Sequence, residues 1–162
     1  MDALNHNPNI EFAEPDTLFP PATVPNDTYY SLEWHLPKIG APSAWNTTVG
    51  GNNIIIAILD SGVDSTHPDL SSQLVPGWNF IDNNSDASDV DGHGTAVAGT
   101  AAAASNDGLG VAAPAWTCKI MPIRISDTNG NGILSAIANG LMYAADHGAR
   151  IANLSFGAST SL

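Results

Sequence analysis

The sequence is poor in basic residues and in cysteine. Its 162 residues contain four Lys and Arg against 16 Asp and Glu, which gives a formal net charge of −12 and a pI of about 4.2. Such a surface repels nucleic acids and anionic membranes and favours divalent cations. No disulfide can form within the chain, because Cys118 is the only cysteine. Its apolar neighbours predict a buried thiol.

The sequence also lacks an apolar run long enough to span a membrane. The first four residues have neither the basic nor the apolar region of a signal peptide. Hydrophobic residues make up 43% of the chain, which predicts a folded protein rather than a disordered one. The length suffices for one domain with a core, but it is short for a doubly wound fold with a complete active site.

Two segments place an acid and a base where chemistry is expected. The unbroken apolar run 54–59 predicts a strand buried on both faces, and Asp60 follows it directly. In open α/β sheets, ligands bind at the carboxyl ends of such strands. His93 lies between two glycines at the start of a predicted helix of small residues. Each residue alone is more typical of a turn or a cap, but a proton-accepting histidine at a helix N-terminus needs a carboxylate nearby. We therefore expect Asp60 to contact His93.

Three motifs support this pairing. They are Asp60-Ser61-Gly62-Val63-Asp64, then His67-Pro68-Asp69-Leu70, then His93-Gly94-Thr95 followed by Val97-Ala98-Gly99-Thr100. In this order they resemble the aspartate and histidine signatures of the subtilisin-like serine peptidases, and the resemblance runs from about Pro25 to Gly157. It implies a three-layer, doubly wound α/β fold with a mostly parallel sheet, of which the C-terminal half is absent. It also implies Asp60 as the orienting carboxylate and His93 as the general base, in the chain order for which subtilisin is itself the reference case.

The resemblance further implies a serine nucleophile and an oxyanion-hole asparagine, and the motifs that carry them do not occur in this sequence. Ser159 and Ser161 lack the last glycine of a nucleophile elbow, and Ser61 is expected to point away from the base. We therefore expect the 162 residues to be the N-terminal part of a longer serine endopeptidase and to be inactive alone.

Calcium is the expected cofactor at two places. The resemblance implies one structural ion shared by Asp27, Asp69 and the loop 106–111, with Asp107, Leu109 and Val111 as loop ligands. The run Gly110–Pro114 is shorter than the family's usual segment, so the loop geometry is expected to differ. The second place is the oxygen-rich loop 82–91, which offers Asp82, Asn84 and Asp86 to a hard cation. Solvated acidic turns have the same composition, and the spacing is not that of an EF-hand.

The N-terminal 24 residues are predicted to be separate from the segment 25–162. Pro20-Pro21 interrupts a short strand-like stretch there. The segment resembles the end of an inhibitory propeptide, which implies the chain's own propeptide as an inhibitor and folding partner and a secreted, extracellular enzyme. The alternative is an ordinary flexible arm.

The C-terminal third predicts a right-handed βαβ unit. A strand over 118–125 precedes a helix that Gly148 closes, and a second strand covers 150–156. The predicted core stripe of this helix consists of Leu134, Ile137, Leu141 and Ala145. The resemblance implies that Ser155, Phe156 and Gly157 pair with an extended polypeptide substrate. Ala158 and Ala96 replace a glycine and a histidine that are usual in the family.

Other functions fit parts of the pattern. A non-catalytic calcium- and peptide-binding module would have the same segments without the chemistry. A nucleotide-binding α/β domain would also place Asp60 after a buried strand, but the sequence has neither a Gly-x-Gly-x-x-Gly turn there nor a P-loop lysine. A zinc site from Asp60, His67 and His93 has no recognised ligand spacing.

Overall fold

A four-stranded parallel sheet organises the chain. The computed structural model describes residue 4 and the ranges 6–15 and 23–157. The strands are β1 (Ile55–Asp60), β2 (Trp78–Asn79), β3 (Lys119–Arg124) and β4 (Ile151–Asn153). Their order in the sheet is β2-β3-β1-β4, and every neighbouring pair is parallel. The predicted α/β class with a parallel sheet is confirmed.

Two longer helices cover opposite faces of this sheet. These helices are α3 (His93–Ala102) and α4 (Leu134–Asp146), and two short helices, α1 (His35–Lys38) and α2 (Ala41–Trp45), precede β1. Ile56 and Ile58 of β1 pack in one core cluster with residues of α3, whereas Ala57 and Leu59 pack in another with residues of α4. Because side chains alternate along a strand, the apolar run of β1 serves both cores. The result is three layers, with Asp60 at the carboxyl end of the central strand β1.

The segment that carries α1 and α2 packs against the loop before β3, partly through aromatic rings. Leu36, Ala41 and Trp45 form a third cluster with Ala112 and Trp116. The rings of Trp45 and Trp116 lie 4.8 Å apart. This contact brings the segment before β1 against the loop that precedes β3.

The sequence-based prediction for the buried face of α4 was correct for Ile137, which packs against the core, and wrong for the other three residues, which are exposed. Leu134 is 81% exposed and Leu141 is 40% exposed, whereas Ala136, Gly140 and Ala144 are buried. At Gly140, a Cβ would lie 3.0 Å from methyl groups of Ile123 and Leu59. The helix therefore approaches the sheet most closely at its smallest residues. The predicted glycine cap is confirmed, because Gly148 has a φ of +84°.

Two further expectations concern Cys118 and the last strand. Cys118 is 4% exposed, which confirms that its thiol is buried. The last strand is shorter than predicted, since β4 covers three residues, lies at the edge of the sheet and leaves Ile151 50% exposed. Among the helices of the described ranges, none has the length and apolar character that a membrane crossing requires.

Candidate active site

The fold brings Asp60 and His93 into direct contact. Asp60 ends β1, and His93 is the first residue of α3. The imidazole Nδ1 lies 2.8 Å from Asp60 Oδ1. The carboxylate is fully buried, whereas the histidine side chain is 48% exposed. Because Nδ1 faces the carboxylate, Nε2 is the ring nitrogen that remains to exchange a proton with a substrate group.

Glycine at position 94 makes this contact sterically feasible. A Cβ on Gly94 would lie 2.1 Å from the carbonyl oxygen of Gly62 and 3.0 Å from Asp60 Cβ. The first turn of α3 therefore rests directly on the backbone that follows β1. The short Gly-His-Gly stretch thus has a packing role in addition to exposing the histidine.

The carboxylate is held on one side and left unpaired on the other. The backbone N–H of Ser61 donates a hydrogen bond of 2.8 Å to Asp60 Oδ1. Asp60 Oδ2 is buried and has no hydrogen-bond partner among the described residues. Buried unpaired polar atoms are costly and uncommon in native structures.

The acidic surroundings make His93 a stronger base. The hydrogen bond that His93 donates to Asp60, followed by the charge of Asp60, raises the pKa of His93 above its usual value of 6.5. Burial lowers this pKa, and the charges of Asp91 and Asp89 raise it further. An imidazole of this kind can take a proton from a hydroxyl group and return it to a leaving amine.

A pocket of about 220 Å³ opens beside this pair. It is lined by the pair itself, by the residue after Asp60, by one residue each of the loop before His93 and the loop before α4, and by three residues of the segment after β4. The lining residues are Asp60, Ser61, Asp91, His93, Gly130, Ser155, Phe156 and Gly157. The ring of Phe156 meets that of His93 edge-on at a centroid distance of 6.1 Å. The structure thus brings the three residues predicted to bind substrate next to the predicted acid and base.

Among the described residues, no serine is hydrogen-bonded to His93. Ser61 Oγ donates a hydrogen bond of 2.7 Å to Asp89 Oδ1 and accepts one of 2.9 Å from the backbone N–H of Gly94. It therefore points away from His93, as predicted. Ser159 and Ser161 lie outside the described residues.

Comparison with known proteins identifies the family. Residues 51–162 match the model of the Subtilase family.

This chain belongs to the subtilase family.

The first of two curated relatives is the Thermophilic serine proteinase of Bacillus sp. (strain AK1), which is 47% identical over 158 residues, or 97% of this chain and 39% of the relative. The second is Thermitase of Thermoactinomyces vulgaris, which is 46% identical over 134 residues, or 82% of this chain and 48% of the relative. A solved structure described as proteases from Pseudoalteromonas arctica superposes with a TM-score of 0.70 at 30% identity, covering 86% of this chain and 48% of that one. The subtilase chain therefore spans less than half the length of each of these proteins.

The loop 106–111 of this subtilase chain receives two buried carboxylates. Asp27 and Asp69 are 6% and 3% exposed. Asp27 Oδ2 accepts a hydrogen bond of 2.7 Å from the backbone N–H of Asn106, and Asp69 Oδ2 accepts one of 2.9 Å from Val111 N–H. Asp27 Oδ1 is buried without a hydrogen-bond partner in the described residues. The three segments predicted to share a calcium ion therefore meet.

Other predicted ligands of that ion lie at the surface of the loop. Asp107 Oδ1 accepts a hydrogen bond of 2.9 Å from the backbone N–H of Leu109, whose side chain is 53% exposed. Gly110 fits closely beneath Asp69, because a Cβ there would lie 1.6 Å from Asp69 Oδ2. Within the described ranges, no three His, Cys, Asp or Glu side chains converge in a metal-binding arrangement. Any ion at this loop would therefore need backbone carbonyl ligands in addition to the carboxylates.

In the loop 82–91 the predicted oxygen ligands have protein partners. Asp82 Oδ2 accepts hydrogen bonds from Asn79 Nδ2 at 3.0 Å and from an Arg124 guanidinium nitrogen at 3.2 Å. Asn84 Oδ1 accepts the backbone N–H of Asp86 at 2.9 Å. Hydrogen bonds from the side chain and backbone of Ser88 lower the pKa of Asp86. These contacts are those of a hydrogen-bonded turn.

Asp89 is a residue of this site that sequence reasoning missed. It was predicted only as one more acid of the loop 82–91, yet its carboxylate accepts hydrogen bonds from Ser61 and from the first turn of α3. Nothing in the local composition distinguishes it from the neighbouring aspartates. Its partner Ser61 is 28 residues distant in the chain, so only the fold reveals the contact.

Proposed function

We propose that this chain supplies the acid and the base of a serine endopeptidase active site. The observation that carries the proposal is the 2.8 Å contact between His93 Nδ1 and the fully buried Asp60 carboxylate, at the edge of an open pocket. Membership of the subtilase family supports the reaction class.

In the proposed mechanism His93 Nε2 takes the proton of an attacking serine hydroxyl and later gives it to the leaving amine. Asp60 fixes the tautomer with the proton on Nδ1 and stabilises the imidazolium that forms. No described serine is hydrogen-bonded to His93, and in this proposal the nucleophile comes from outside the described residues. The 162-residue chain is accordingly expected not to cleave peptides by itself.

The proposed substrate is an extended polypeptide lying along Ser155, Phe156 and Gly157. This segment follows the edge strand β4 and lines the pocket beside His93. Backbone pairing with such a segment gives affinity that tolerates many sequences, and pockets beside it give preference. We further propose an extracellular enzyme whose residues 1–24 are the end of an inhibitory propeptide.

The stronger calcium proposal concerns Asp27, Asp69 and the loop 106–111. A buried carboxylate oxygen without a partner fits a cation, and the two acids tie segments that are distant in sequence to one loop. A bound calcium ion would neutralise the buried acids and stabilise the fold by binding only its folded state. The loop 82–91 remains the weaker candidate.

The test of the peptidase proposal supplies the missing half from a relative. In a chimera, the part of this chain that aligns with Thermitase over 134 residues replaces the matching part of that enzyme. The assay measures cleavage of an unstructured protein substrate. His93→Gln and Asp60→Asn are each expected to lower kcat by roughly 10⁴-fold or more. His147→Gln is the matched control, because His147 is an exposed histidine bonded to the carbonyl of Tyr143. A chimera whose activity survives His93→Gln would contradict the proposal.

The alternative is a non-catalytic calcium- and peptide-binding module, which the lack of a described serine at His93 favours. A fluorophosphonate probe on the purified 162-residue chain reports on the nucleophile directly. We expect no labelling, and stoichiometric labelling would show that the chain carries its own reactive serine.

A further inference from the structure

Asp89 is the most heavily hydrogen-bonded carboxylate near the Asp60–His93 pair. Its Oδ1 accepts hydrogen bonds from Ser61 Oγ at 2.7 Å, from Gly92 N–H at 2.8 Å and from Asp91 N–H at 3.0 Å. Its Oδ2 accepts the backbone N–H of Thr95 at 2.8 Å and the hydroxyl of Thr95. Both carboxylate oxygens are therefore fully used.

These bonds favour the charged form of Asp89. Burial opposes ionisation, but the hydrogen bonds from Thr95, Gly92, Asp91 and Ser61 outweigh it and bring the pKa of Asp89 to about 2. The residue before α3, Gly92, has no side chain with which to cap the helix. Asp89 provides the missing cap through Thr95 N–H and adds a negative charge at the positive end of the helix dipole.

The same carboxylate connects the two elements that carry the pair. Ser61 directly follows Asp60, and its hydroxyl donates to Asp89 while accepting the N–H of Gly94. Gly94 directly follows His93. Ser61 and Asp89 therefore clamp the residue after the acid to the residue after the base, across 33 positions of sequence.

We propose that Asp89 is a positioning residue, which acts through Ser61 and the first turn of α3 to hold His93 Nδ1 against Asp60. This proposal rests on the proposed function only for the catalytic role of the Asp60–His93 pair. The hydrogen bonds that join Asp89, Ser61 and Gly94 do not depend on that role. Asp89 makes no hydrogen bond to either ring nitrogen of His93, so its effect on the position of the imidazole is indirect.

The charges that face His93 come from three acids and no described base. They are Asp60, which is hydrogen-bonded to the ring, and Asp91 and Asp89, which act through their charge. The ring of Phe156, which meets the imidazole edge-on, is uncharged. A test must therefore separate the loss of a charge at position 89 from the loss of the clamp.

The experiment measures the pKa of His93 by NMR in the 162-residue chain labelled with ¹⁵N-histidine. His93→Gln assigns the resonances among the five histidines. Asp89→Asn removes the charge and part of the clamp, and Ser61→Ala removes the clamp's hydroxyl without changing charge. Asp64→Asn is the charge-matched control, because the Asp64 carboxylate binds only Thr66 while its backbone N–H still reaches Thr95.

We expect both Asp89→Asn and Ser61→Ala to lower the pKa of His93 by roughly one unit, about the effect of weakening one charge-assisted hydrogen bond. The low-field Nδ1–H resonance should weaken with it. Asp64→Asn is expected to shift the pKa by only a few tenths of a unit, because an exposed charge is screened.

Two results would overturn the proposal. In the first, both variants shift the pKa of His93 by no more than the Asp64→Asn control does. In the second, Asp89→Asn lowers the pKa but Ser61→Ala does not, which would make Asp89 a source of charge only. If Asp89→Asn fails to fold, the comparison of Ser61→Ala with Asp64→Asn decides. Failure of the peptidase proposal is distinguishable, since it appears in the chimera assay and leaves these pKa values unchanged.

Discussion

The close approach of α3 to the end of β1 can be tested with one substitution made at two places. Gly94 and Gly99 both lie in α3. A Cβ at Gly94 would lie 2.1 Å from the carbonyl oxygen of Gly62, whereas a Cβ at Gly99 would meet nothing within 4 Å. The obstacle at Gly94 is backbone and cannot rotate away. The two alanine substitutions should therefore have opposite effects on stability.

The magnitude follows from the two opposing contributions. Replacing glycine by alanine inside a helix stabilises by roughly 0.5–1 kcal/mol, which is the full expectation for Gly99→Ala. At Gly94, overpacking costs about 1–3 kcal/mol and exceeds that gain. We expect the free energies of unfolding to differ by about 2 kcal/mol, or a Tm difference of roughly 4–8 °C for a domain of this size.

The same substitution should also disturb the acid–base pair. Restoring an ordinary contact at position 94 requires the start of α3 to move by about 1 Å. That shift would lengthen the 2.8 Å contact between His93 Nδ1 and Asp60 Oδ1 beyond hydrogen-bonding distance.

Urea denaturation followed by tryptophan fluorescence gives the stability, and NMR titration gives the pKa of His93. We expect Gly94→Ala to lower both and Gly99→Ala to lower neither. If the two variants are equally stable and His93 titrates alike in both, the close packing described here is incorrect.

Three further predictions concern calcium, pH and the thiol. Calcium at 100 times its Kd should raise the free energy of unfolding by about 2.7 kcal/mol. Asp27→Asn should abolish this gain, whereas Asp86→Asn should preserve it. The reverse pattern would indicate that calcium binds the loop 82–91 instead. Asp60 raises the pKa of His93, so the contact between them stabilises the folded protein when His93 is protonated. This contribution is complete below pH 6.5 and is lost as pH rises through the folded-state pKa. His93→Gln should flatten that part of a plot of urea midpoint against pH, and an unchanged slope would argue against the pairing. Cys118 should react with an aromatic disulfide only as the chain unfolds, so rapid labelling in native buffer would contradict its burial.

Sequence patterning predicted the helix α4 but not which side of it is buried. The predicted core stripe of Leu134, Ile137, Leu141 and Ala145 packs against the core only at Ile137, and the sheet receives the small face around Gly140. A periodic pattern reports that a helix has an apolar side, whereas the distance between helix and sheet depends on both partners. Close approach selects for small side chains, and a hydrophobicity pattern cannot register that preference.

The aspartates of the loop before His93 illustrate the same limit. Asp82, Asp86 and Asp89 lie within eight positions and are chemically identical in sequence. In the fold Asp82 pairs with Arg124, Asp86 binds its own turn, and Asp89 caps α3 and binds Ser61. Composition indicated a cation-binding loop, but it could not indicate that Asp82 and Asp89 accept hydrogen bonds from residues distant in sequence.

The amino-acid sequence by itself determined the elements that depend on neighbours in the chain. These are the buried strand that ends in Asp60, the small-residue helix that begins at His93, and the glycine that terminates α4. The tertiary structure alone decided how closely those elements approach, that Asp89 caps the helix that begins with the base, and which carboxylate oxygens stay unpaired. The physical reason is that a strand or helix is specified by local periodicity, whereas a hydrogen bond across 33 residues exists only after both of its ends have been packed into place.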